Sequence, residues 1–121
     1  MLFSHGQAEC FEYTILASRN CALDIAKEVI ANILMMNYPG VMHSQGQISM
    51  RSLAKVHSAC VTYLRDHLQK LRAKQIIAYG YSLGIGMRAA FLESKITDGS
   101  DGDGFLIKDH ARRSLSAIAM L

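Results

Sequence analysis

The sequence predicts an α/β fold: a parallel sheet with helices on both faces. Two observations carry that expectation. Short β-rich runs alternate with segments of helical period along the chain, in the order strand, helix, strand, helix, strand, helix, strand. That alternation is the signature of crossover connections on a parallel sheet. The second observation is the run Ile76-Ile77-Ala78-Tyr79-Gly80-Tyr81-Ser82-Leu83-Gly84-Ile85-Gly86. It begins as a strand, ends in Gly-x-Ser-x-Gly and passes into a helix-like segment, the layout of a sharp strand-to-helix turn with a serine at its apex.

The elements follow in order. Met1 to Ser4 reads as a short strand. Residues 11–17 fit helix or strand, because Phe11, Tyr13 and Ile15 alternate while Ile15-Leu16-Ala17 do not. Asn20 is a candidate cap for a helix to about Ile30, with Ala22, Ile25, Ala26 and Val29 on one face. Ile33 to Tyr38 reads as a buried strand stopped by Pro39-Gly40, with a loop to Gln47. Ser49 or Ser52 opens the clearest helix, to about Leu68, with Leu53, Val56, Cys60 and Leu64 at helical spacing. Lys74 to Tyr79 is the next strand, and Ser82 to about Ser94 a helix. Asp98 to Gly104 is a Gly/Asp loop, Phe105 to Ile107 a short strand, and Ser114 to Leu121 a terminal helix.

Bulk composition narrows the function. A chain of 121 residues, half of them apolar, is one domain with a real core. A balance of 13 basic and 10 acidic residues, +3, with the basic residues dispersed, is too weak for a nucleic-acid or anionic-membrane partner. Cys10, Cys21 and Cys60 have neither disulfide nor metal-site spacing, which points to a reduced, cytoplasmic compartment. No apolar stretch approaches the roughly 18 residues of a membrane span, and no signal peptide is expected.

Three constellations bear chemistry. In Gly80-Tyr81-Ser82-Leu83-Gly84, the glycines at either side remove side chains that would collide with neighbouring strand and helix, and Ser82 Oγ becomes a nucleophile. In Phe3-Ser4-His5-Gly6-Gln7, a strand ends in His-Gly and opens into a loop. A tetrahedral intermediate needs two converging N–H donors; the Leu83 N–H would supply one and the N–H of Gln7 or its neighbour the other, with His5 structural. The third, Asn37-Tyr38-Pro39-Gly40-Val41-Met42-His43-Ser44-Gln45-Gly46, is by itself a strand followed by a tight turn. Asp98-Gly-Ser-Asp101-Gly-Asp103-Gly fails the EF-hand spacing and is a flexible turn. Gly84-x-Gly86 falls after the serine, which counts against a nucleotide site. No metal and no cofactor are expected.

In this order, His5-Gly6, then Asn37-Tyr38-Pro39-Gly40 with Ser44-x-Gly46, then Gly80-Tyr81-Ser82-Leu83-Gly84, the chain resembles the α/β-hydrolase superfamily. The segments 31–42 and 73–84 further resemble the chlamydial CHLPS proteins, a bacterial group. The resemblance implies that residues 1–121 form a partial α/β-hydrolase domain. Its four parallel strands would be the third to sixth of the family sheet, in the order fourth, third, fifth, sixth. It implies ester, thioester or amide hydrolysis through Ser82, with a small-molecule acyl substrate, Leu83 and Gln7 as the oxyanion hole, and Gly80, Gly84, His5 and Gly6 shaping the elbow and loop.

The family triad runs Ser, then Asp or Glu, then His along the chain. Asp109, after the last strand, is the candidate acid. His110 is the only histidine beyond Ser82, and as the chain neighbour of Asp109 it would point away from that carboxylate. His57 and His67 read as surface or half-buried helix residues, and His43 as part of a loop over the site. The chain therefore looks like a truncated copy lacking the family's catalytic His. Two classes stay open: a serine hydrolase impaired by that loss, and a non-catalytic remnant or interaction module. Unpaired sheet edges favour an oligomer or a covering partner.

Overall fold

The computed structural model describes residues 1–6, 9–16, 21–81 and 104–109. The chain is mixed α/β. Its elements are β1 (Leu2–Ser4), α1 (Phe11–Leu16), α2 (Cys21–Glu28), β2 (Leu34–Met35), α3 (Met50–Asp66), β3 (Ile76–Tyr81) and β4 (Gly104–Asp109). The strands form one sheet in the order β2-β1-β3-β4, every pair parallel. In chain order this is second, first, third, fourth, the arrangement expected above. The expected helices at 82–94 and 114–121 lie outside the described residues.

Alternation along the strands explains the two faces. Successive strand side chains point to opposite sides, so Leu2, Ile76 and Ala78 share one face with Val61 and Leu64 of α3. Phe3 and Tyr79 share the other with Ala22 and Ala26 of α2. Phe3 and Tyr79, paired in register, stack with ring centroids 5.3 Å apart. Burying each large apolar side chain contributes roughly 1.5–3 kcal/mol, and the two clusters together clamp β1 and β3 between α2 and α3.

The long helix starts where a cap is available. Ser49 is extended, accepts from the Ser52 amide at 3.0 Å, and its own amide donates to Ser52 Oγ at 2.8 Å. This is a reciprocal capping box with serine in the return position. The buried stripe is Leu53, His57, Val61 and Leu64, one position round the helix from the stripe expected through Val56 and Cys60, which are only half-buried. Residues 11–16 resolve as helix, although none of them is buried. β2 is two residues long rather than six. Its continuation breaks away because Asn37 and Tyr38 spend their polar groups on other elements. The turn behind it needs glycine at position 40, where φ is +79° and a Cβ would sit 2.9 Å from the Gly46 carbonyl oxygen. β3 runs two residues further than expected, to Tyr81, and β4 runs to Asp109, so Asp109 ends the strand instead of following it.

Candidate active site

The carboxyl ends of the four strands assemble the candidate site. In an open α/β sheet, ligands bind there, at the point where the strand order reverses. In this sheet that point lies between β1 and β3. β1 leads outward to β2, and β3 leads to β4 on the other side.

Register aligns the ends of β1, β3 and β4. Ser4 is the partner of Gly80, Gly80 of Lys108, and Tyr81 of Asp109. The backbone of Asp109 therefore lies beside the residue that precedes Ser82. The His-Gly turn abuts the same place: a Cβ on Gly6 would lie 2.9 Å from Tyr81 Cδ1. Only glycine lets the loop after β1 lie against the end of β3 without displacing the Tyr81 ring. Ser82, Leu83, Gly84 and Gln7, like His110, lie outside the described residues.

His5 is buried and held by specific contacts. It is 2% exposed, and its Nδ1 donates to its neighbour's carbonyl, Gly6 O, at 2.9 Å. The Gly6 amide is held from the other side by Glu9 Oε2 at 2.9 Å. Tyr38 OH donates to the His5 carbonyl at 2.6 Å, and the His5 and Tyr38 rings lie 4.3 Å apart. Burial pushes the Tyr38 phenol well above its ordinary range, the Ser4 hydroxyl pulls the other way, and the Glu9 carboxylate adds to the rise. The phenol therefore stays a neutral donor.

His57 corrects the sequence reading most sharply. Expected at or near the surface, it is fully buried, with Nε2 2.8 Å from Ser4 Oγ and its ring edge-on to Tyr38. Burial lowers its pKa from 6.5 to about 4; the Leu53 carbonyl one turn earlier works against that shift, and the nearby His5 adds to it. Its Nδ1 and the Nε2 of His5 have no hydrogen-bond partner. A Ser–His pair of this geometry resembles a catalytic dyad, but Ser4 and His57 are both 0% exposed, so no substrate reaches them. Their work is to fasten α3 to the end of β1.

Asn37 fastens α1. Its Oδ1 accepts from the Phe11 amide at 2.9 Å, and its Nδ2 donates to Glu12 Oε1 and Oε2 at 3.1 and 2.8 Å. These bonds hold the Glu12 carboxyl below its ordinary range, with a smaller contribution from the charge of His43, itself exposed. The sequence signals for this network were weak: His57 sits in the apolar stripe of α3, and Asn37-Tyr38 directly precedes the Pro-Gly stop.

A family model described as Chlamydia CHLPS protein (DUF818) matches residues 1–121. The chain belongs to that family. No curated protein and no solved structure matches it. In this CHLPS-family chain, the described residues contain no group of three or more His, Cys, Asp or Glu able to hold a metal ion, and no described helix is long and apolar enough to cross a membrane.

Proposed function

We propose that the chain is a serine-hydrolase-type member of the α/β-hydrolase superfamily, acting on ester, thioester or amide bonds of a small acyl substrate. Ser82 Oγ would attack the acyl carbon. The Leu83 and Gln7 N–H groups would hold the oxyanion, and Asp109 would be the acid of the site. One observation carries this proposal: the register joins Ser4 to Gly80 and Tyr81 to Asp109 at the carboxyl end of the sheet, with Gly6 packed on Tyr81. The strand end that feeds the elbow, the His-Gly turn and the candidate acid thus lie on neighbouring strands at the switch point. The proposal places this chemistry in a reduced, cytoplasmic setting.

A serine hydroxyl is a weak nucleophile without a base. Among the described residues the buried histidines are committed elsewhere, His57 to Ser4 and His5 to the Gly6 carbonyl. This favours a second reading, a non-catalytic remnant or interaction module that keeps the sheet. A serine-directed fluorophosphonate separates the two. Labelling of the wild-type chain that disappears in Ser82→Ala supports the hydrolase. Equal labelling of the two chains, or none of either, sinks it.

A further inference from the structure

The opposite end of the sheet carries a second feature, independent of the hydrolase proposal. At the amino ends of β1 and β3 lies a cleft of about 250 Å³. Leu64, Leu68, Leu71 and Ile76 give it an apolar side, polar atoms make up about half of its lining, and the exposed Ile30, Arg72 and Lys74 stand at its mouth. None of the described residues lining it is Asp or Glu.

Two backbone distortions sit at that mouth. Ile30 and Arg72 are both left-handed, with φ of 51° and 52°. Each ends a helical stretch with the same pair of bonds. Ile30 N donates to Lys27 O at 3.1 Å and Ala31 N to Ala26 O at 2.8 Å; Arg72 N donates to Gln69 O at 3.0 Å and Ala73 N to Leu68 O at 2.9 Å. These are two Schellman motifs, whose left-handed position is usually filled by glycine. Left-handed backbone disfavours any residue with a Cβ, and a β-branched one most of all. Ile30 gains no burial in exchange, since it is 94% exposed. The chain thus holds an exposed isoleucine and a guanidinium, each in the conformation glycine would fill best, at the mouth of one cleft. Strained residues of this kind cluster at ligand clamps.

The carbonyls freed at these helix ends, which would repel an anion, are largely occupied. The Schellman amides take Ala26, Lys27, Leu68 and Gln69, and Asn32 Nδ2 donates to Leu71 O at 2.9 Å. What remains is a cleft with one apolar side, whose charged side chains, Arg72 and Lys74, are both cationic. We infer that this cleft binds an anionic amphiphile, its chain along Leu68 and Leu71 and its carboxylate at Arg72 and Lys74.

The test is titration of the full chain with sodium decanoate below its micelle concentration, followed by calorimetry, with decyltrimethylammonium as the oppositely charged probe. Arg72 and Lys74 are exposed, so Arg72→Glu/Lys74→Glu is expected to fold as the wild type does. Decanoate is expected to bind the wild type at least tenfold more tightly than it binds the double variant, and more tightly than decyltrimethylammonium does. Ile30→Asp is expected to weaken decanoate binding as well. Equal binding of the two detergents overturns the proposal, as does decanoate affinity unchanged in the double variant. A concentration-dependent dimer that Ile30→Asp abolishes, with no decanoate bound, would put a second copy of the chain on the cleft and overturn it too.

Discussion

The two ends of the sheet handle polar groups in opposite ways. At the carboxyl end, Ser4, His5, Tyr38 and His57 are buried together and bonded to one another or to backbone. At the amino end, the side chains of Asn32, Arg72, Lys74 and Gln75 stay exposed, while the backbone holds two left-handed residues. The first end gains definition from side-chain bonds that fasten β1 to α3 and to the chain after β2. The second tolerates backbone distortion that no side-chain burial offsets. The carboxyl end should therefore be sensitive to the loss of a single side chain, and the amino end should be improved by losing one.

Tyr38 gives the largest expected effect. Its ring is buried between two histidines and its hydroxyl satisfies the His5 carbonyl. Tyr38→Ala is expected to cost about 3–5 kcal/mol, the range of large aromatic truncations. Tyr38→Phe keeps the ring but leaves a buried carbonyl unpaired, at about 1–3 kcal/mol. Urea unfolding midpoints measure both. A Tyr38→Phe variant as stable as the wild type would mean that the ring alone, and not the bond to His5, holds the loop.

Acid should discriminate the two ends next. His57 is neutral in the folded chain, with its pKa lowered from 6.5 to about 4. The unfolded chain takes up the proton first as pH falls, so stability is full above about 6.5, declines between 6.5 and 4, and levels off below. A drop of this width corresponds to about 3 kcal/mol at most. The groups around the ring are Ser4, His5 and Tyr38, with the Leu53 carbonyl on its own helix, and none carries a compensating negative charge. His57→Gln is expected to flatten this part of the stability–pH curve. A slope that persists in the variant would assign the proton to another group.

Gly6→Ala is expected to cost about 1–3 kcal/mol, the range for overpacking, because the new methyl meets the Tyr81 ring at 2.9 Å. The ring has some freedom to move, so the lower half of that range is expected. Any fluorophosphonate labelling of Ser82 should fall in the same variant, since the His5-Gly6 turn would be pushed off the end of β3. Unchanged labelling would detach that loop from the chemistry.

The sheet was legible in the sequence for reasons these residues make plain. Leu2, Phe3, Ile76, Ala78 and Tyr79 alternate between two buried faces, and alternation is a local signal. The reach of β2 was not legible. Ile33 to Tyr38 is apolar enough for a strand, but Asn37 and Tyr38 leave the ladder for partners 25 to 33 residues away. The position of His57 was half legible: the stripe of Leu53 and Leu64 passes through it, yet a histidine there reads as surface until Ser4 is known to face it. The strained ends at Ile30 and Arg72 carry no sequence signal at all, because a Schellman motif is recognised by the glycine that both of them lack.

Those ends supply the smallest and most diagnostic effect. Glycine reaches left-handed φ without the Cβ clash that costs other residues roughly 1–2 kcal/mol, but it also adds entropy to the unfolded chain, which offsets about 0.5–1 kcal/mol of the gain. Ile30→Gly and Arg72→Gly are therefore each expected to stabilise the chain slightly, by about 0.5–1 kcal/mol, read as a higher unfolding midpoint. The Asn32–Leu71 bond links the two helix ends, so any departure of the double variant from additivity measures their coupling. Stabilisation accompanied by weaker decanoate binding would show that the side chains are kept for the cleft at the expense of the backbone. Destabilisation by either glycine would mean that the left-handed residue is held by contacts of its own side chain, and the contrast between the two ends of the sheet would then reduce to the buried network around Tyr38.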